Sequence, residues 1–399
     1  MSKLIIVESP AKAKTIKNFL GSEYVVIASK GHIRDLPKSS FGIKVDGDKF
    51  TPEYRISSDH SALVKEIKTL ASKADEIYLA TDEDREGEAI AYHIATAIGK
   101  KPETLPRIVF HEITKTAIEA ALANPRVLDM NSVNAQQARR LLDRIVGYKL
   151  SPLLNIKIQR GLSAGRVQSA ALKILVDKER EIRDFKPIEY FSIDTKFKKD
   201  LEAELVEFQG SKIEKLTITN PQRAEFILNI LKSDKFQINE IESKERKTNA
   251  QPPFMTSTLQ QSASNRLGFS PKKTMMLAQS LYEGVQTNNG FMGAITYMRT
   301  DSLNIAKEAL NTAREIIKSE FGADYLPKSA NIYTTKSKGA QEAHEAIRPT
   351  NLSFTPQIAA QYLEKDMLKL YTLIYNRFLA SQMSPSISQT QNIMIKSDN

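Results

Sequence analysis

The sequence predicts a multi-domain chain in which an α/β unit with a parallel sheet precedes largely helical structure, and three observations carry that reading. Two apolar runs, Leu4-Ile5-Ile6-Val7 and Ile77-Tyr78-Leu79-Ala80, each deliver acidic residues onto the start of a helical pattern. From Thr114 to about Arg183 the spacing is helical, interrupted near Pro125, Pro152 and Gly161. The length of 399 residues exceeds the roughly 100 to 200 that one core usually serves.

In chain order, residues 1 to 30 predict strand Lys3–Val7, helix Ala11–Leu20 and strand Tyr24–Ala28. Pro10 near the helix start and acids at strand ends fit a ligand site at the carboxyl edge of a parallel sheet. Residues 31 to 62 hold turn formers and read as irregular. Helix Ser61–Ser72, strand Glu76–Ala80 and helix Glu86–Ile98 follow, then a strand at Arg107-Ile108-Val109-Phe110. Short alternating runs over 186 to 248 predict a β-rich segment with one helix, Pro221–Lys232. After a Pro252-Pro253 junction, helices Thr256–Arg266 and Ser270–Glu283 flank a Leu267-Gly268-Phe269 turn, a helix-turn-helix pattern.

Composition bounds the partner. With 57 Lys and Arg against 47 Asp and Glu, a formal charge of +10 and a sequence pI near 9.3, the surface field attracts polyanions and makes nucleic acid the leading expectation. No apolar run reaches the roughly 20 residues that span a bilayer, and the N-terminus lacks a signal-peptide pattern. A cytoplasmic, nucleoid-associated protein with no membrane partner is expected. Cysteine is absent, which excludes disulfides and thiolate zinc sites within these residues.

The stretch Thr81-Asp82-Glu83-Asp84-Arg85-Glu86 is the strongest chemical signal. Asp82, Asp84 and Glu86 alternate, so in extended backbone they share one side, and such hard carboxylate oxygens suit Mg²⁺. The alternative is an acidic turn in which Asp84 or Glu86 caps the next helix. Glu8, at the end of the other apolar run, favours the metal reading. Between Arg139 and Arg166 stand Arg139, Arg140, Arg144, Lys149, Lys157, Arg160 and Arg166 against one acid, Asp143, a phosphate track or a solvated basic helix face with Asp143 paired locally. The loop from Gly161 to Ser169 adds Ser163, Arg166 and Gln168 as donors. In Ala294-Ile295-Thr296-Tyr297-Met298-Arg299-Thr300-Asp301-Ser302, Tyr297 reads by itself as core in an apolar strand, before a helix beginning near Leu303.

Taken in order, Val7-Glu8-Ser9-Pro10-Ala11-Lys12-Ala13-Lys14-Thr15-Ile16, Gly31-His32-Ile33-Arg34-Asp35-Leu36, the Asp82, Asp84, Glu86 trio, Ser163-Ala164-Gly165-Arg166-Val167-Gln168-Ser169, Thr296 to Ser302, and Glu342-Ala343-His344-Glu345-Ala346-Ile347-Arg348-Pro349-Thr350 give a chain that resembles the type IA DNA topoisomerases over nearly its full length. The resemblance implies a toroid around a central hole, incomplete here. A toprim α/β domain would cover 1–35 and 63–130, and an interwoven helical groove domain 36–62 and 131–186. A β-rich arch would cover 187–254 and 385–399, and a helical domain carrying the tyrosine 255–384.

It also implies an ATP-independent enzyme, working as a monomer, that cuts and reseals single-stranded DNA through a 5′-phosphotyrosine and relaxes negatively supercoiled DNA. Tyr297 would be the nucleophile, Arg299 the stabiliser of phosphoryl charge, Lys12 a donor to the scissile phosphate, Glu8 the manager of the 3′-oxygen proton and His344 a phosphate or general-acid contact. Glu8, Asp82, Asp84 and Glu86 would hold Mg²⁺. Arg34, Arg107, Arg139, Arg140, Asp143, Ser163, Arg166, Gln168 and Arg348 would contact DNA. Without the resemblance, His344 reads as a helix-surface histidine and Arg348 as an ion pair with Glu345.

The chain stops at Ile393-Met394-Ile395-Lys396-Ser397-Asp398-Asn399, which reads as mid-hairpin, with a strand over Thr390–Lys396 exposed as an edge. A fragment or interrupted gene product, with poor or absent plasmid relaxation, is therefore expected. Two other classes share parts of the pattern. A toprim nuclease or primase would use the acids without Tyr297, and an inactive remnant would only grip single strands.

Overall fold

The structure, a computed structural model, describes residues 2–334 and 345–398. The chain divides into two compact units, Met1–Arg166 with Ala250–Ser384, and Val167–Asn249 with Pro385–Asn399.

The first unit is organised by a parallel sheet with Lys3–Val7 between Tyr24–Ala28 and Glu76–Leu79. Leu4 to Val7 are all buried, which is why the run is continuously apolar: both faces of a parallel sheet are covered. Alternation splits it between two cores. Leu4 and Ile6 join Val64 and Ile67 of helix Ser61–Lys73 and Ile90 and Ile94 of helix Arg85–Ala97. Ile5 and Val7 join Ile16 of helix Pro10–Lys17 and residues from beyond 250, among them Leu281, Tyr282, Tyr297 and Phe378. The sheet therefore welds the N-terminal α/β layer to helices Thr256–Leu267, Pro271–Glu283 and Lys365–Ser381.

Several local expectations change. Residues 107–110 form no strand: Arg107 makes only single bridges, to Leu79 and to Arg126. Residues 31–62 are more regular than their turn formers suggest, since Ile43–Asp46 pairs with Lys49–Pro52 and Arg34–Asp35 with Arg55–Ile56. Tyr297 is not in a strand, because its backbone N–H donates to the His111 carbonyl at 2.8 Å instead of to a ladder. The helix expected near Leu303 begins at Lys307.

The second unit holds a ribbon of Phe236–Thr248 antiparallel to Ser386–Ser397, with a bulge between Ile238 and Glu240. The final strand thus pairs along its length with one that precedes it in the chain, and in this two-stranded ribbon its other edge pairs with no strand among the described residues, as expected. Ile193, Phe208, Ile218, Ala224 and Ile227 form a small core beneath helix Pro221–Ser233. Among the described residues no helix is long and apolar enough to cross a membrane.

Candidate active site

The acidic loop is built where strand Glu76–Leu79 ends and helix Arg85–Ala97 begins. Asp84 caps that helix, its Oδ1 accepting from the Gly87 N–H at 2.7 Å, so the capping alternative holds for this residue. Glycine is required at 87, because a Cβ there would lie 2.0 Å from the Asp82 carbonyl oxygen. Arg107, expected at a DNA surface, is fully buried under this loop. Its guanidinium donates to the carbonyls of Thr81 and Asp82 (both 2.6 Å), Ile108 (3.1 Å) and Leu79 (3.2 Å), and its Nε to Glu88 at 3.1 Å. It is an interior brace, and the DNA-contact expectation is corrected: the side chain is fully buried and all three of its nitrogens donate to protein acceptors.

Glu8 and Asp82 meet at the carboxyl ends of adjacent strands, and Lys12, fully buried in the first turn of helix Pro10–Lys17, donates its ammonium to both. The Asp82 N–H donates to Glu8 Oε2 at 3.1 Å, and the Tyr282 hydroxyl to Asp82 Oδ1 at 3.1 Å. Burial would discharge Lys12, but the flanking charges of Asp82 and Glu8 outweigh it and hold the ammonium above its ordinary pKa. Burial raises both carboxyls. At Glu8 the Lys12 charge and hydrogen bonds win and the pKa is lowered, while Asp82, deeper and beside Glu8, is pushed up to about 7.

Tyr297 arrives at the same loop from 213 residues away, its hydroxyl donating to Asp84 Oδ2 at 2.7 Å. Its ring packs on Tyr282 with centroids 5.1 Å apart. Burial, then the charges of Asp82 and Asp84, push the phenol far above its ordinary pKa, and only Arg299 pulls the other way. Arg299 itself is exposed beside the tyrosine.

Arg348, also expected at DNA, is 5 % exposed. Its fork donates to Glu345 at 2.6 Å and to Glu112 at 2.9 Å. The ion pair with Glu345 is therefore present, and the DNA contact is corrected: the guanidinium ties the tyrosine segment, through the Thr296 N–H on the Arg348 carbonyl at 2.9 Å, to the α/β layer. His344 lies outside the described residues.

Arg34, Arg139, Arg140 and Asp143 gather around a cleft of about 290 Å³ beside Glu86. Arg140 grips Asp35 in bidentate fashion at 2.9 and 2.6 Å, and Asp143 takes Arg166 at 2.9 Å, not a neighbour on its own helix. Glu86 is held down to about 2, first by the hydrogen bond from His32 and then by Gln136, against burial. Ser163 lies in the exposed loop of this unit, and Gln168 belongs to the second unit. His93, buried in the cleft wall, has its pKa pushed down to about 3 by burial and by Arg34 and His32, against Asp35. In the unfolded chain it protonates near 6.5, so the unfolded state binds the extra proton between pH 6.5 and 3 and native stability falls as pH drops through that window. Urea titrations should show His93→Gln losing less stability than the parent across it; parallel pH curves would refute this account.

Tyr282, His32, Gln136 and Glu112 belong to this site and local sequence did not single them out. Tyr282 sits in an apolar helical pattern that reads as core, and the others depend on partners far along the chain.

As for a metal, the donor set of Glu8, Asp82, Asp84 and Glu86 is all carboxylate oxygen and suits a hard divalent ion. Among the described residues, however, no three such side chains are gathered to hold one. Lys12 engages Glu8 and Asp82, Tyr297 engages Asp84, and His32 and Gln136 engage Glu86.

An acidic loop on the carboxyl edge of a parallel sheet, with a buried tyrosine from a helical layer against it, defines a toprim-bearing protein with a tyrosine at its acidic centre. Residues 3–113 match the family model described as Toprim domain, a fold that generally binds divalent metal ions, and residues 127–399 match that described as DNA topoisomerase. The chain is 76% identical over 395 residues to DNA topoisomerase 1 of Campylobacter jejuni, covering 99% of this chain and 56% of the relative, and 59% identical to that of Helicobacter pylori, covering 99% and 54%. The full-length topoisomerase I structure from Thermotoga maritima is similar at a TM-score of 0.86 and 47% identity, over 99% of this chain and 63% of that one. The chain belongs to the type IA DNA topoisomerase family. It spans about half the length of the curated relatives it matches.

Proposed function

We propose that this chain carries the cleavage and religation centre of an enzyme that relaxes negatively supercoiled DNA, acting as a monomer on single-stranded DNA in the bacterial cytoplasm, at the nucleoid. The observation that carries the reading is the Tyr297 hydroxyl on Asp84, a nucleophile and a proton acceptor in contact. The Tyr297 oxygen attacks a backbone phosphorus, its proton passing to Asp84; the new O–P bond replaces the bond to the 3′-oxygen, which leaves protonated. No energy cofactor is needed, since the broken ester bond is stored in the phosphotyrosine. Arg299, exposed at the tyrosine, stabilises charge on the phosphoryl oxygens. Lys12 offers N–H donors to the phosphate, and Glu8, able to take up a proton once the phosphate has drawn the Lys12 ammonium off it, exchanges that proton with the 3′-oxygen. Both halves of the centre come from one polypeptide, which supports the monomer.

Magnesium, held by Asp82, Asp84 and Glu86 with Glu8 once their present partners are released, would supply a positive charge that positions the 3′ end for resealing. Chelation with EDTA should therefore leave adduct formation detectable while resealing is lost, measured as adduct that no longer reverses when salt is raised; reversal at the same rate in EDTA would remove the metal from this step. The reading as a whole is tested with a single-stranded oligonucleotide labelled at its 3′ end. After denaturation the label should migrate with the protein, and absence of that adduct at every magnesium concentration would overturn it.

A further inference from the structure

The chemistry proposed above gives no role to one fully buried polar group. Tyr282, in the last turn of helix Pro271–Glu283, is 0 % exposed, and its hydroxyl donates to Asp82 Oδ1 at 3.1 Å. The same oxygen takes the Lys12 ammonium, which also stands over the Tyr282 ring, 5.0 Å from its centre. The ring meets that of Tyr297 as well, with centroids 5.1 Å apart and a tilt of 59°. One side chain thus meets the lysine, the acid and the nucleophile. Packing alone does not call for its hydroxyl. A phenylalanine would fill the same space beside Ile5, Leu281 and Ala294 of this core and would need no partner in the interior.

The hydroxyl matters when Lys12 changes partner. The ammonium is needed on the scissile phosphate, but here two carboxylates share it, and in an interior of low dielectric that grip is strong. As the ammonium turns to the phosphate, Asp82 becomes a buried carboxylate short of a donor, which is unfavourable. A phenol is protonated at neutral pH, and this one is fixed by a ring buried on all sides. It therefore stays on Asp82 throughout and limits the penalty, while its ring face offers the moving cation a favourable surface. We propose that Tyr282 is a positioning residue of the cleavage centre: its hydroxyl holds Asp82 in place, and its ring guides the Lys12 ammonium as that group passes from Asp82 to the scissile phosphate. No proton leaves Tyr282 in this role.

This inference rests on the reading of Tyr297 as the nucleophile, and deepens it. The test is Tyr282→Phe in the 399-residue protein, which keeps the ring and removes the donor. A single-stranded oligonucleotide labelled at its 3′ end gives the rate of adduct formation at saturating strand, fluorescence anisotropy gives the affinity, and urea titration gives the stability. Affinity should stay at the parent's value, because a fully buried side chain touches no DNA. The rate should fall roughly tenfold, the usual worth of a hydrogen bond to a charged group, and it should fall in EDTA as much as in magnesium. A rate equal to the parent's would overturn the inference. So would a variant that does not fold, or a rate that drops only in step with affinity or folded fraction, since either marks a packing role. A loss confined to magnesium would move the hydroxyl's role to the metal and overturn it too. All of these leave the cleavage reading standing while the parent forms its adduct; a parent without adduct overturns that reading, and this inference with it.

Discussion

Tyr297→Phe is expected to abolish transfer of 3′-end label to the protein completely while leaving single-strand affinity nearly intact. The substitution removes one oxygen from a side chain whose ring keeps its packing on Tyr282, so the fold has little to lose beyond the hydrogen bond to Asp84, about 1 kcal/mol. The nucleophile, however, has no substitute. The hydroxyl is held on an acid by neighbours drawn from both layers of the unit, and its strongly raised pKa means that it attacks with its proton handed to Asp84 during the step, not as a free phenolate. Gel analysis after denaturation reads the result. Strand cutting that survives in Tyr297→Phe would instead indicate a toprim-type nuclease in which the acids act alone, and salt-sensitive binding with no adduct in the parent protein would indicate a binding remnant.

The second large effect concerns stability. Arg107→Ala should lower unfolding free energy by about 3–5 kcal/mol, the usual result of deleting one partner of a buried pair. Glu88 would keep Arg126 and the Asp129 N–H, but four backbone carbonyls, those of Leu79, Thr81, Asp82 and Ile108, would lose a donor in the interior. Two of them belong to the acidic loop, so adduct formation should fall with stability. Arg107→Lys should rescue little, because an ammonium cannot reproduce the planar fork. Urea denaturation decides the matter. A variant as stable as the parent but weak on single-stranded DNA would return Arg107 to the DNA surface, and would sink the assignment as a brace.

These two residues also show where sequence reading reaches and where it stops. Arg107 stands in a basic chain and reads as a DNA contact, because nothing local distinguishes a guanidinium aimed at phosphate from one aimed at carbonyls. The decision belongs to the loop that folds over it. Asp143 reads as a partner for the arginines on its own helix, yet Arg166 takes it, while Arg140 reaches back 105 residues to Asp35. Arg348 was legible as an ion pair to Glu345 at helical spacing, but Glu112, 236 residues away, was not.

By itself the sequence determined the elements whose causes are local. The apolar runs leading to Glu8 and Asp82, the helix starts expected at Ala11 and Glu86, one residue inside the observed Pro10 and Arg85, and the Gly268 turn follow from side-chain alternation, caps and backbone freedom, which act within a few residues. The family resemblance marked Tyr297. Only the tertiary structure decided that Tyr297 lies on Asp84, that Lys12 bridges Glu8 and Asp82 and that Tyr282 completes the centre. Those contacts join segments up to about two hundred residues apart, and they are set by which face of the central sheet each segment packs against, a choice made by the summed burial of two cores and not by any short stretch of chain.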